Sequence, residues 1–184
     1  NELWNALLEK PESLDPNLLP CVVECMSAQG DLELYQKFLR LKDNAATPQE
    51  ENRFLFALAG FRKEELIKRT LNRTLDGSIR IQDAPIMIRA LFYNPAAGKL
   101  SWEFVKENWN EIEKKFPLQG VIRRCGWLTV WMDPVLEGDI HKFAQNLRVK
   151  GNEKALAQNL ETLSIANRFL EREHLAMSKL LSKY

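Results

Sequence analysis

The chain has 184 residues, 45% of them hydrophobic, with 26 Lys and Arg against 25 Asp and Glu for a net charge of +1. A chain of this length buries roughly 70% of its unfolded surface, which argues against disorder, and the even charge argues against nucleic acid, whose phosphates demand a basic excess. No apolar run approaches the ~18 residues of a spanning helix, residues 1–10 carry no signal-peptide pattern, and the missing initiator Met raises the expectation of a fragment cut from something longer.

The punctuation along the chain is helical. Asp15-Pro16 places a cap and a first-turn proline before LLPCVVECMSAQ, which ends at Gly30. Asp31 can cap the next stretch, LELYQKFLRLKDNA. Thr47-Pro48-Gln49-Glu50 is a capping box, and its helix closes at Gly60. Residues 63–76 follow and end at Gly77, and residues 78–82 (SIRIQ) alone look extended. Asp83 precedes APIMIRALFY, and Asn94-Pro95 turns the chain into KLSWEFVKENWNEIEKKF, read as one helix to Pro117. Residues 118–132 and 134–148 form a further pair, and 152–182 is one long or kinked helix.

Pro16, Pro48, Pro85 and Pro117 each open a helix pair, at spacings of 32, 37 and 32 residues. With no βαβ alternation, the chain reads as all-α: antiparallel helix pairs stacked as a curved HEAT/armadillo-like solenoid, an α-α superhelix, in one domain over 1–184. Trp102, Val105, Trp109, Ile112 and Phe116 step by three and four and form one apolar stripe. Leu118, Val121, Cys125, Leu128 and Met132 repeat the step. The helix at 84–91 is apolar on both sides, Ala84, Met87, Ile88 and Leu91 against Pro85, Ile86 and Ala90, and reads as lying between two layers.

The chemistry is sparse. The three cysteines, Cys21, Cys25 and Cys125, do not read as a disulfide framework. Their usage favours a reducing, cytoplasmic setting. Cys21 and Cys25 share a helix face and look like small core residues. The two histidines, His141 and His174, lie far from them, so a zinc site is not supported. There is no H-E-x-x-H, G-x-S-x-G, P-loop or G-x-G-x-x-G. The expectation is therefore no catalytic residue, no metal ligand and no cofactor in this chain. The candidate contact residues are Arg62, Arg80, Arg89, Arg123, Arg124 and Trp127. Planar cations stepping beside Trp127 and Trp131 suit a peptide or a neighbouring domain, or else the indoles are core and the arginines reach outward. Arg80 sits on the extended stretch and Arg89 beyond it. The basic residues Arg62, Lys63, Lys68, Arg69 and Arg73 recur on 62–73 with Glu64 and Glu65 interleaved, and read as a solvated face with local ion pairs.

Ala57-Leu58 with a break before Glu65-Leu66 is followed by Gly77 and Ile81-Gln82-Asp83. Asn94-Pro95, Trp102-x-Phe104 and Asn108-Trp109 come next. In combination, and densest from 50 to 116, these residues resemble the C-terminal helical domain of gluzincin zinc aminopeptidases. The group includes aminopeptidase N, puromycin-sensitive aminopeptidase and the endoplasmic-reticulum aminopeptidases. Leu14-x-Pro16, Gly30-Asp31, Leu160-Glu161-Thr162 and Phe169-Leu170-Glu171 extend the likeness over nearly the whole chain. The resemblance implies the later part of a bowl of antiparallel helices that closes over the active site of a monozinc exopeptidase, shaping the chamber and limiting access. Zinc and catalytic residues would belong to an upstream domain of the same polypeptide, and the ligand would be a peptide. Many relatives carry an Arg just after the Ala-Leu that matches Ala57-Leu58, where this chain has Ala59-Gly60-Phe61 and then Arg62. The Arg-Phe-Ser-Thr of relatives is here Trp131-Met132-Asp133-Pro134.

Two functions follow: a non-catalytic lid and chamber domain of an aminopeptidase, or a stand-alone HEAT-like scaffold for peptides or proteins. As an excised piece, the chain would leave Leu3, Trp4, Leu7 and Leu8 of its first helix poorly covered, with self-association through that end. A nucleic-acid or membrane partner is not expected.

Overall fold

A computed structural model of the chain describes residues 2–116, 134–147 and 152–183. The described residues form ten α-helices and no strand. They are α1 (Glu2–Glu9), α2 (Leu18–Gln29), α3 (Leu32–Asp43), α4 (Pro48–Ala57), α5 (Glu64–Arg73), α6 (Ala84–Tyr93), α7 (Gly98–Glu107), α8 (Trp109–Lys115), α9 (Pro134–Gln145) and α10 (Glu153–Leu181). Short 3-10 turns follow α1 and α4, at Pro11–Ser13 and Leu58–Gly60. The all-α class read from the sequence holds. The chain divides into two compact units, Asn1–Trp102 and Glu103–Tyr184, and the division falls within α7.

Side-chain caps set two of the helix starts in the first unit. The Leu34 N–H donates to Asp31 Oδ1 at 3.0 Å. The Glu50 N–H donates to Thr47 Oγ1 at 3.2 Å, while Glu50 Oε2 accepts from the Ala46 N–H at 3.0 Å, so the box closes one residue upstream of its usual partner. Asp15 behaves differently from its reading as a cap. It accepts from the Asn17 backbone and side chain at 2.9 and 3.0 Å, an Asx turn, and α2 begins at Leu18.

Phe38 of α3 lies at the centre of the first unit's core, fully buried. The rings of Trp4, Phe54 and Phe61 stand 5.5, 5.7 and 5.5 Å from it, the latter two edge-on. Edge-on aromatic pairs contribute about 0.5–1.5 kcal/mol each beyond the area they bury. Tyr35 stands edge-on to Phe61 at 5.1 Å. Its hydroxyl lies 3.0 Å from Thr70 Oγ1, which donates to the Leu66 carbonyl at 2.9 Å. Burial pushes the Tyr35 phenol above its ordinary value.

Several readings need correction. Trp4 and Leu7 are buried, at 7% and 6% exposure, so α1 is covered by its own chain and only Leu3 stays half exposed. That removes the ground for self-association through α1. Residues 78–82 are bends and turns, because the Asp83 and Ala84 N–H groups both donate to the Arg80 carbonyl. Only one face of α6 is buried. Ala84, Met87, Ile88 and Leu91 are fully covered while Ile86 is 49% exposed, so α6 does not lie between two layers. Cys21 and Cys25 are exposed, and α2 turns Leu19, Val22, Val23 and Ser27 inward instead.

In the second unit the helix expected over 99–116 is interrupted at Asn108, whose side-chain amide donates to the Phe104 carbonyl at 2.8 Å. The apolar stripe survives the break, with Val105, Ile112 and Phe116 buried. Trp109 is only half-buried and meets Phe143 of α9 edge-on at 5.3 Å. The Lys106 ammonium lies 2.7 Å from Asp139 of α9 and 3.1 Å from Glu103. α10 is one continuous helix of 29 residues. Its Leu156 packs with Ala144 of α9, and Leu147, Ala155 and Leu160 pack against that pair. The stripe from Leu118 to Met132 lies outside the described residues.

Candidate functional site

α2, α4 and α6 open each helix pair of the first unit, and an open groove of about 780 Å³ runs across them. Its floor includes the buried Val23, Ala57 and Ala59. Phe56 and the exposed Tyr93 supply aromatic surface, and Glu24, Asn52, Arg53 and Arg62 supply polar groups.

Close backbone packing shapes this groove. A Cβ on Gly60 would stand 2.1 Å from Ser27 Oγ, so only glycine lets the turn after α4 approach α2 this closely. Asn94, 6% exposed, holds the same turn from the other side. Its Nδ2 donates to the carbonyls of Ala59 and Phe61, both at 2.8 Å, and its Oδ1 accepts from the Ala96 N–H at 3.0 Å. Phe61 is fully buried. The backbone that carries Arg62 is thus pinned on both sides, which limits where its long side chain can reach.

The candidate arginines separate into two kinds. Arg62 is exposed on the groove and forms no ion pair with any described residue. Arg80 is already engaged. Its Nε donates to Asp83 at 2.7 Å, one Nη donates to Asn52 at 3.1 Å, and the other lies 3.6 Å from Glu51. The hydrogen bond to Asp83, and then the charges of Asp83 and Glu51, hold the guanidinium still more firmly in its charged form. Arg80 therefore ties the 78–83 turn to α4, and it engages the carboxylate of Asp83, which precedes α6 and makes no side-chain cap. Arg89 donates to Tyr93 Oη at 3.1 Å and lies 5.6 Å from that ring's centre, so it supports the aromatic wall. Arg123, Arg124 and Trp127 lie outside the described residues. The basic run of α5 is solvated and paired as expected, Lys68 with Glu64 at 2.6 Å and Arg69 with Glu65 at 2.7 Å.

Sequence reasoning missed Arg53. It lines the groove beside Asn52, half-buried and without an ion-pair partner among the described residues. Its signal was present: Gln49, Arg53, Phe56 and Gly60 step by four, three and four, the spacing of a helix face. All four line the groove.

The arrangement offers two guanidinium groups with no ion-pair partner among the described residues, and aromatic surface, in an open channel that suits an extended chain bearing carboxylates. Among the described residues no group of three or more His, Cys, Asp or Glu could hold a metal ion. None of the described helices is long and apolar enough to cross a membrane.

Comparison with known proteins agrees with the resemblance. A family model, "ERAP1-like C-terminal domain", matches residues 1–165. Aminopeptidase 2, mitochondrial, of Saccharomyces cerevisiae is 24% identical over 94% of the chain and 18% of its own length. Endoplasmic reticulum aminopeptidase 2 of Bos taurus is 28% identical over 67% of the chain and 13% of its own length. Leucyl aminopeptidase of Saccharolobus solfataricus is 28% identical over 65% of the chain and 15% of its own length. The chain thus spans less than a fifth of each of these relatives.

Proposed function

The chain belongs to the family of ERAP1-like C-terminal domains, and from that premise we propose that it is the non-catalytic C-terminal domain of a zinc-dependent aminopeptidase, capping the active-site chamber and shaping peptide access. Its partner is then a catalytic domain upstream in the same polypeptide, which holds the zinc. The relatives' names and the small share of their length that the chain spans support this reading. The observation that carries the chain's own part is the groove with Arg53 and Arg62, two cations with no acid paired to them among the described residues. A peptide whose amino end is held elsewhere can place a carboxylate against them and bury apolar side chains on Phe56 and Tyr93.

The test uses the natural polypeptide. Arg53→Ala and Arg62→Ala are compared with Arg80→Ala on peptides of eight to sixteen residues and on a single-residue aminoacyl-coumarin. One exposed charge contact is worth up to about 1 kcal/mol, so each groove variant should raise KM for the longer peptides roughly fivefold. Turnover of the coumarin should stay unchanged. A natural polypeptide that releases no N-terminal residue would overturn the aminopeptidase reading and leave a peptide-binding scaffold.

A further inference from the structure

We propose that Cys21 and Cys25 form a two-thiolate chelate for a single soft monovalent cation of the Cu(I) class. Both thiols are exposed on α2 and neither is in a disulfide. They are one helical turn apart on the strip that also carries the half-exposed Leu18, away from the buried Leu19, Val22, Val23 and Ser27. This helix spacing puts their Cβ atoms about 5–6 Å apart. A disulfide needs about 3.5–4.5 Å, so an intact α2 keeps the two sulfurs from joining. An ion bridging two sulfurs at about 2.3 Å each spans up to about 4.6 Å, which rotation about χ1 can meet.

The number of donors selects the ion. A structural zinc site asks for four ligands, and no described group of three or more His, Cys, Asp or Glu surrounds the pair. Soft thiolates favour Cu(I), which is satisfied by two of them in a line. On binding, two S–H bonds break and two S–Cu bonds form. Two protons leave to solvent, and copper remains Cu(I), so no oxidant or reductant is consumed. The site is separate from the groove in its ligands and does not depend on the aminopeptidase reading.

The experiment is an anaerobic titration of the full chain against the Cu(I) complex of bathocuproine disulfonate, following the fall in that complex's absorbance. One Cu(I) per chain is expected. Cys21→Ser and Cys25→Ser should each weaken it at least tenfold, and Cys125→Ser should leave it unchanged. Equal binding by the three serine variants, or a loss that follows Cys125, overturns the proposal. A second measurement needs no copper. Phenylarsine oxide bridges two thiols with loss of one water, so intact mass should show one adduct that leaves a single alkylatable thiol. Persistence of that adduct in Cys21→Ser and Cys25→Ser would likewise overturn it. Far-UV circular dichroism of each variant separates lost binding from lost helix.

Discussion

A single methyl group decides how closely α2 can approach the turn after α4. On Gly60 it would meet Ser27 Oγ at 2.1 Å and Ser27 Cβ at 3.1 Å, and Ser27 is fully buried with its hydroxyl donating to the Glu24 carbonyl at 2.8 Å. Overpacking of this kind costs about 1–3 kcal/mol. Gly60→Ala should therefore lower the urea midpoint. Ser27→Ala removes the nearest atom, so the double variant should be more stable than the sum of the single effects allows. Strict additivity in urea titrations would show that the two residues do not touch in solution. Neither glycine nor serine announces such a contact in the sequence. Gly60 was legible as the end of a helix, and its role as a groove wall emerges only when α2 is placed beside it. Arg62 was legible as a candidate because it is basic and follows that break. Arg80 looked equally available, since nothing local reveals that Asn52 and Glu51, some thirty residues earlier, stand within reach of it.

At the scale of the element, capping signals were read well where the acceptor had no competitor. Asp31 and Thr47 cap as their spacing implies. Asp15 does not, because the Asn17 backbone and side chain occupy it. The run LLPCVV supports two overlapping stripes, one from Leu18 through Cys21 to Cys25 and one from Leu19 through Val22 to Ser27. Tertiary packing chose the second, and no periodicity argument separates them. Beside the apolar packing of Leu156 on Ala144, part of the contact between α9 and α10 was invisible for a similar reason, since it is polar. Glu137 of α9 accepts from the Ser164 hydroxyl and, at 2.8 Å, from Asn167 Nδ2, with Asn167 99% buried. These hydrogen bonds, and to a lesser degree the charges of His141 and Arg168, hold the Glu137 carboxyl below its ordinary 4.5. A depressed carboxyl adds stability above its unfolded value and loses it as pH falls through the folded one. Glu137→Gln keeps an acceptor and removes the charge, at a cost of about 1 kcal/mol at pH 7. The gap between the two proteins in thermal unfolding should narrow below pH 4.5 and close under the lower, folded value. A gap that stays constant from pH 7 to pH 3 would show that the carboxylate contributes nothing.

For the molecule as a whole, a net charge of +1 conceals how its cations are arranged. On α5, Lys68 and Arg69 are matched by acids one turn away. Arg53 and Arg62 have no such match among the described residues, and both face one groove. Composition can report the balance but not this segregation, because the residues that would neutralise a charge are fixed by the fold. The consequence is measurable on the chain itself, through the anisotropy of a peptide labelled at its amino end and free at its carboxyl end. Screening shortens from about 10 Å at 0.1 M salt to about 3 Å at 1 M. Binding held by the two guanidinium groups should therefore weaken steeply over that range, and an amidated peptide should show a shallower slope. In the Arg53→Ala, Arg62→Ala double variant the slope should nearly vanish, while the residual affinity reports the apolar contacts with Phe56 and Tyr93. A free-acid peptide that binds equally at both salt concentrations would show that the groove is held together by apolar contact alone, and that its two arginines do no more than keep it open to water.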